Sequence, residues 1–150
     1  MKVAVIGSGG REHAICLSLK KSQKVKKIYC IPGNAGTHQI AENVEIEISN
    51  FNKIKDFVLN NNIDLVIIGP EKPLVDGIVD YLEKFGVKVF GPNKIASQLE
   101  GSKIFTKKLC EKYKIPTATF GVFRSIEDSI KFLQKCKYPI VVKADGLAAG

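Results

Sequence analysis

Apolar positions along the first ninety residues follow two alternating rhythms. Val3 to Ile6 is an unbroken apolar run that stops at Gly7, as a parallel strand covered on both faces requires. The turn Gly7-Ser-Gly-Gly10 follows, and Ile15 and Leu19, four apart, predict a helix ending in the lysine-rich stretch 20–27. Ile28 to Ile31 is a second short strand, broken by Pro32-Gly33. Val44 to Ile48 alternates apolar residues with glutamate, which predicts a strand with one wet face near a sheet edge. Phe51, Ile54 and Val58 predict a helix capped by Asn50 and closed by Asn60 to Asn62. Asp64 to Ile68 reads as a buried central strand. Leu74, Val75, Ile78, Val79 and Leu82 predict one helix reaching Gly86, and Val87 to Phe90 a further strand.

Strand and helix in regular alternation predict an α/β fold built on a doubly wound parallel sheet. From Asn93 the rhythm changes. Helical segments are expected over 94–100 and 102–114, where Phe105, Leu109 and Tyr113 share a face, with Gly101 between them. Pro116 then opens an extended piece, 117–123. A helix bearing Ile126, Ile130 and Leu133 follows, and Ile140 to Lys143 is expected to be a strand. The break in rhythm places a domain boundary near Pro92 to Glu100. A strand that has just delivered a lysine and the turn Asp145 to Gly150 is not where a domain closes, so the sequence is expected to be part of a longer protein.

The composition narrows the function classes. A 45% hydrophobic, 25% charged chain of 150 residues can build a folded core. It has no run near the roughly 20 apolar residues of a spanning helix, and no basic head with a longer apolar core at its start. A cytoplasmic location without a membrane partner is expected. Cys16, Cys30, Cys110 and Cys136 are scattered, so neither a zinc site nor a disulfide framework is indicated. The net charge of +8 comes mostly from residues 101–150, with 10 Lys and Arg against 4 Asp and Glu. Only Arg11 and Arg124 are arginines, and no basic cluster is interleaved with aromatics. The excess reads as a solvated lysine surface rather than a nucleic-acid footprint.

Candidate chemistry gathers at loops. In an open α/β sheet ligands lie beyond the carboxyl ends of the strands, and three loops leave their strands at that rim: Gly7 to Glu12, Pro32 to Thr37 and Gly69 to Pro73. The first offers backbone N–H groups at Gly9 and Gly10, with Arg11, to a phosphate. The second offers Asn34, Thr37 and the small residues Ala35 and Gly36, and the third the Glu71 carboxylate, which can accept from a sugar diol. A dinucleotide is the rival guest. Its fingerprint wants glycine at the sixth position of G-x-G-x-x-G and an acid after the second strand. Here Glu12 holds that position and Cys30-Ile-Pro-Gly33 has no acid. Glu12 therefore reads as a substrate or helix-cap contact, and an NAD(P)-binding module as a weaker alternative. Lys143 reads either as a lysine reaching solvent or as a phosphate-directed charge beside a flap. Lys103, at the head of a helix, is less specific. His13 and His38 lack partners at catalytic spacing and read as helix packing and a loop position.

Six segments together carry a family resemblance: 5–14 (VIGSGGREHA), 32–37 (PGNAGT), 69–74 (GPEKPL), 90–92 (FGP), 98–103 (QLEGSK) and 142–150 (VKADGLAAG). In these motifs and their order the sequence resembles the phosphoribosylamine–glycine ligases, or glycinamide ribonucleotide synthetases, of the ATP-grasp superfamily. The resemblance implies a Rossmann-like, pre-ATP-grasp domain over residues 1–100 and the beginning of an α+β ATP-grasp domain over 101–150. It implies ATP-dependent joining of glycine to 5-phosphoribosylamine through a glycyl phosphate, in purine biosynthesis, with alignment and charge neutralisation rather than covalent catalysis. Gly9, Gly10, Arg11, Glu12, Asn34, Ala35, Gly36, Thr37, Pro70 and Glu71 are then implied to bind the phosphoribosyl substrate. Lys103, Lys143, Gly146, Leu147, Ala148, Ala149 and Gly150 are implied to bind ATP. The resemblance places the ligands for Mg²⁺ or Mn²⁺ beyond residue 150 and no catalytic residue within this stretch, which is expected to be inactive alone. Another ATP-grasp carboxylate–amine ligase or carboxylase is the nearer alternative. A monomer or a part of a fused purine enzyme are both compatible with the sequence.

Overall fold

The computed structural model describes residues 1–148 and divides into two compact units, residues 1–97 and 98–150. In the first, five parallel strands stand in the order β3-β2-β1-β4-β5. These are β1 (Lys2–Gly7), β2 (Lys27–Pro32), β3 (Glu42–Asn43), β4 (Leu65–Ile68) and β5 (Val89–Phe90). The apolar run of β1 is central, with Val3 level with Ile28 on one side and Leu65 on the other. Helix α1 (Gly10–Lys20) follows β1, and α2 (Phe51–Asn60) joins β3 to β4.

Alternate residues of a strand point to opposite faces, and the core divides accordingly. Val5 packs with Cys16, Ile28 and Cys30 on the face of α1. Ala4 and Ile6 pack with Ile31, Val66, Ile54 and Val58 of α2, and Ile78 and Leu82, on the other. Asn50 caps α2 by accepting from the Lys53 N–H at 3.0 Å, which satisfies one of the donors a helix start leaves open. The Cys16 thiol, held against Cys30 and buried, is pushed far above its usual range. All four cysteines are free.

Several sequence expectations need correction. The stretch 44–48 is not a strand: β3 occupies Glu42–Asn43, at the sheet edge, and only Val44, Ile46 and Ile48 of the alternating stretch lean on the core. The single helix expected up to Gly86 is two, α3 (Glu71–Asp76) and α4 (Ile78–Glu83). Gly77 separates them in the left-handed region, at φ 99°, and its N–H reaches the carbonyls of Pro73 and Leu74. A left-handed glycine ends a helix while leaving the i, i+4 apolar spacing intact, so periodicity does not reveal the break. Strand β5 is only two residues long.

In the second unit, α6 (Lys103–Lys112) and α7 (Ile126–Leu133) form, and α5 (Lys94–Gly101) runs across the boundary between the units. The extended piece expected at 117–123 is irregular backbone outside the sheet, and the strand expected at 140–143 is absent. A strand exists through its ladder partner, and no described residue pairs with either stretch. Among the described residues no helix is long and apolar enough to cross a membrane.

Candidate functional site

The first loop is built around Glu12. Strand β1 ends at Gly7, φ 129°, and Gly9 caps α1 in an extended conformation. The Gly9 N–H donates to Glu12 Oε2 at 2.6 Å, the return contact that a third-position glutamate makes to its own helix cap. Glu12 is only 4% exposed. A Cβ at Gly7 would lie 2.6 Å from Glu12 Cγ, and one at Gly69 would fall on the Glu12 carboxylate. Three glycines therefore leave the space that this side chain fills. Gly9 and Gly10 remain open to solvent, with nothing within 4 Å of a Cβ at Gly10. The carboxylate beneath the loop opposes a pyrophosphate there, as a like charge in a partly buried place does.

The second loop is tied to the first. Asn34 Nδ2 donates to the Ser8 carbonyl at 2.8 Å, and the Gly33 N–H to the Gly7 carbonyl at 3.2 Å. The Asn34 N–H donates to Thr37 Oγ1 at 2.7 Å, and the Thr37 N–H returns to Asn34 Oδ1 at 2.9 Å. Asn43 Nδ2 closes the set on the Asn34 carbonyl at 2.7 Å. Thr37 is fully buried, so it orders Asn34 rather than facing a ligand, whereas Ala35 is exposed. The His13 ring lies against Gly36, and His38 falls in a short 3₁₀ turn, Thr37–Gln39.

The third loop meets the first through Arg11. Its Nη1 donates to the Gly69 carbonyl at 2.9 Å and to Glu71 Oε1 at 2.8 Å. Glu71 is the first residue of α3, after Pro70. Its own backbone N–H, and then the Arg11 guanidinium, hold its carboxyl below the usual range. Both side chains stay accessible, at 62% and 41%. The rim thus presents the exposed turn at Gly9 and Gly10, with the Gly9 N–H held by Glu12, beside a guanidinium and a carboxylate, a combination suited to an anion next to hydroxyl groups. A shallow surface depression of about 450 Å³, lined by Glu47, Ser49, Asn50, Phe51, Asn52 and Tyr81, includes none of these residues.

In the second unit, Lys103 and the loop at Gly146 come together. Lys103 Nζ donates to the Gly146 carbonyl at 2.6 Å. Asp145 accepts from the Ile104 N–H at 3.1 Å and from Ser102 Oγ at 3.0 Å. The Ile104 N–H first, then the Ser102 hydroxyl, hold its carboxyl below the usual range. Lys143 is exposed and does not end a strand, so the picture of a buried strand delivering it does not hold. Leu147 and Ala148 are exposed, and Ala149 and Gly150 lie outside the described residues. Asp145 has no place among the residues expected from the sequence. Its only signal there is an acid directly before a glycine.

The comparisons with known proteins follow this division of the chain. Residues 1–100 match the family described as phosphoribosylglycinamide synthetase, N domain, and residues 101–150 the phosphoribosylglycinamide synthetase, ATP-grasp (A) domain. A phosphoribosylamine–glycine ligase of Caldanaerobacter subterraneus subsp. tengcongensis is 54% identical over 150 residues, covering 100% of this chain and 36% of the relative. The Escherichia coli enzyme of the same name is 48% identical over 152 residues, covering 100% and 35%. The crystal structure of the Thermotoga maritima phosphoribosylamine–glycine ligase superposes with a TM-score of 0.75 at 34% identity, covering 98% of this chain and 34% of that one. An N5-carboxyaminoimidazole ribonucleotide synthetase from Thermotoga maritima, 20% identical with a TM-score of 0.69 over 87% of this chain and 36% of its own, shares the fold. The chain spans about a third of the length of the curated relatives it matches. With its parallel sheet, its three joined loops and its full length matched by these sequences, the chain belongs to the phosphoribosylglycinamide synthetase family.

Proposed function

We propose that the full-length protein joins glycine to 5-phosphoribosylamine with conversion of ATP to ADP and phosphate, through a glycyl phosphate, to give glycinamide ribonucleotide in cytoplasmic purine biosynthesis. The observation that carries this reading is the union of three loops on one rim by Arg11 and Asn34. In this reading the backbone at Gly10 and the charge of Arg11 receive the substrate phosphate, while Gly9, its N–H held by Glu12, shapes the approach. Glu71 and Pro70 face the ribose, and Ala35 and Gly36 close the second side. Asn34 fixes the loop edge and Thr37 fixes Asn34. Glu12 acts from beneath, setting the loop's shape and disfavouring a second phosphate. The chain's contribution is alignment and charge neutralisation, which together lower the barrier to attack of the amine on the acyl carbon of the glycyl phosphate, with phosphate leaving and no covalent enzyme intermediate.

Lys103, Lys143 and the loop from Gly146 are proposed for the phosphates of ATP, which supplies the phosphoryl group that activates the glycine carboxylate. Among the described residues no group of three or more His, Cys, Asp or Glu side chains is placed to hold a metal. Thermal shift tests the phosphoribosyl site in the 150-residue chain. Glycinamide ribonucleotide or ribose 5-phosphate should raise the unfolding midpoint, whereas NAD(H) and oligonucleotides should not. Stabilisation by NADH alone would overturn the reading. The short chain is proposed to be inactive by itself, and glycine- and phosphoribosylamine-dependent ATP hydrolysis by it would refute that. Substrate profiling of the full-length protein separates this ligase from other ATP-grasp ligases and carboxylases.

A further inference from the structure

Helix α6 starts with donors that the helix itself cannot satisfy, since the first N–H groups of any helix have no carbonyl behind them. Ser102 Oγ takes the Phe105 N–H at 3.1 Å. The Ile104 N–H instead goes to Asp145 Oδ1, 41 residues away, and the Ser102 hydroxyl lies 3.0 Å from the other oxygen of the same carboxylate. Directly beside this, Lys103 Nζ donates to the Gly146 carbonyl at 2.6 Å. Two successive loop residues are therefore fastened to three successive residues at the head of one helix. The carboxylate sits where the helix dipole favours a negative charge. Gly146 takes φ 100°, a conformation that side chains rarely adopt, although a Cβ there would meet nothing within 4 Å. The glycine is thus required by the turn of the backbone, not by crowding.

We propose that Asp145 is a positioning residue, which ties the loop at 145–148 to the head of α6 and so sets where the Lys103 ammonium is held. The inference rests on the reading of Lys103 as an ATP-phosphate lysine, and extends it to a residue that acts through Lys103 and the loop rather than by touching the nucleotide. Lys103 spends its ammonium on a loop carbonyl, a neutral acceptor that an anionic phosphate can displace, because a charge-assisted bond to an ionised oxygen is the stronger. Asp145 keeps the loop in place when that exchange occurs. Without it, Lys103 and the loop separate and the lysine loses its fixed starting point.

The tie itself is tested by amide hydrogen exchange in the 150-residue chain. Asp145→Ala should speed exchange of the Ile104 amide about tenfold or more while leaving the amides of Val3 to Ile6 unchanged, since a first-turn amide is protected only by its non-helical acceptor. Asp145→Asn, which keeps an acceptor oxygen, should retain part of the protection. The role is tested by kinetics of the full-length protein. Asp145→Ala should raise KM for ATP about tenfold, with kcat and KM for glycine within about threefold, and Asp145→Asn should recover most of the loss. Unchanged Ile104 exchange in Asp145→Ala overturns the tie. Faster Ile104 exchange with an unaltered KM for ATP overturns the positioning role and leaves a merely structural cap. Absence of glycine-dependent ATP turnover in the wild-type protein would instead defeat the ligase reading, while the exchange result still decides the tie.

Discussion

Residues 1–97 and residues 98–150 use their apolar side chains in opposite ways. The first unit buries both faces of its sheet: Ile6, Ile31, Ile54, Ile78 and Leu82 are fully enclosed on one, and Val5, Cys16 and Cys30 on the other. The second carries Ile126 at 79%, Val141 at 75% and Val142 at 80% exposure. Both units nevertheless hold well-formed helices with side-chain caps, Asn50 in one and Ser102 and Ser125 in the other. The difference lies in what each kind of element needs. A helix satisfies its backbone within itself and takes its caps from residues next door, whereas a strand needs a partner and a core needs two packed layers. Local sequence suffices for α6 and α7 but not for the extended stretches around them.

The largest test of this contrast is paired truncation. Leu82→Ala, in the enclosed face between α4 and the sheet, should cost about 3 kcal/mol in urea unfolding. Ile126→Ala, on the open face of α7, should shift the same transition by less than about 0.5 kcal/mol. Equal losses at the two sites would mean that the second unit has a core of its own and would remove the contrast.

The next effect falls at the junction of the loops. Gly69→Ala places a Cβ on the Glu12 carboxylate, which cannot move aside without releasing the Gly9 N–H. Overpacking and the loss of a cap each destabilise by a kcal/mol or so, and together should cost about 2 kcal/mol. Glu12→Ala made in the same chain should restore part of this, because it removes the obstacle. A chain that tolerates Gly69→Ala at no cost would show that Glu12 is not fixed as described.

The sequence was most readable where local chemistry decides. Val3 to Ile6, Asp64 to Ile68, and the Asn50 cap with Phe51, Ile54 and Val58 stand in the structure as their pattern predicts. Gly77 was not readable as a break, since the apolar spacing runs through it. The strand expected at 140–143 fails for want of a ladder partner, which no periodicity reports. At the site, the rule that ligands meet strands at their carboxyl ends sufficed to name the three loops. The bonds that join them were hidden, because Arg11 to Gly69 spans 58 residues and Asn34 to Ser8 spans 26. The Asp145 contact to α6 was hidden for the same reason.

Capping offers a smaller comparison between the units. Asn50→Ala should cost about 1 kcal/mol of the urea transition, since α2 is packed on the sheet and its fraying opens the core. Ser125 caps α7 through the same third-position contact, accepting from the Asp128 N–H at 3.1 Å, yet α7 encloses no buried residue. Ser125→Ala should therefore lower helicity at α7, seen in the exchange of the Asp128 amide, without moving the urea midpoint.

The smallest effect is electrostatic, and it separates the two units by where it can be seen. Glu71 is held below its usual value of 4.5 by its backbone N–H and by Arg11. A carboxylate with a depressed folded-state pKa contributes stability that is present above the unfolded value and is lost as pH falls through the lower, folded one. With side chains 62% and 41% exposed, solvent screens the pair, and the contribution should stay below about 0.5 kcal/mol. Urea midpoints taken at about pH 7 and about pH 3 should therefore fall slightly less in Glu71→Gln than in the wild type. Asp145 is depressed in the same direction by the Ile104 N–H, and its sign is the same, but it belongs to the unit without an enclosed core. Asp145→Asn should leave the pH dependence of the urea midpoint unchanged and alter only the exchange of Ile104. A matching change in the global midpoint would mean that the loop tie is part of the cooperative fold, and that the two units differ less than their burial suggests.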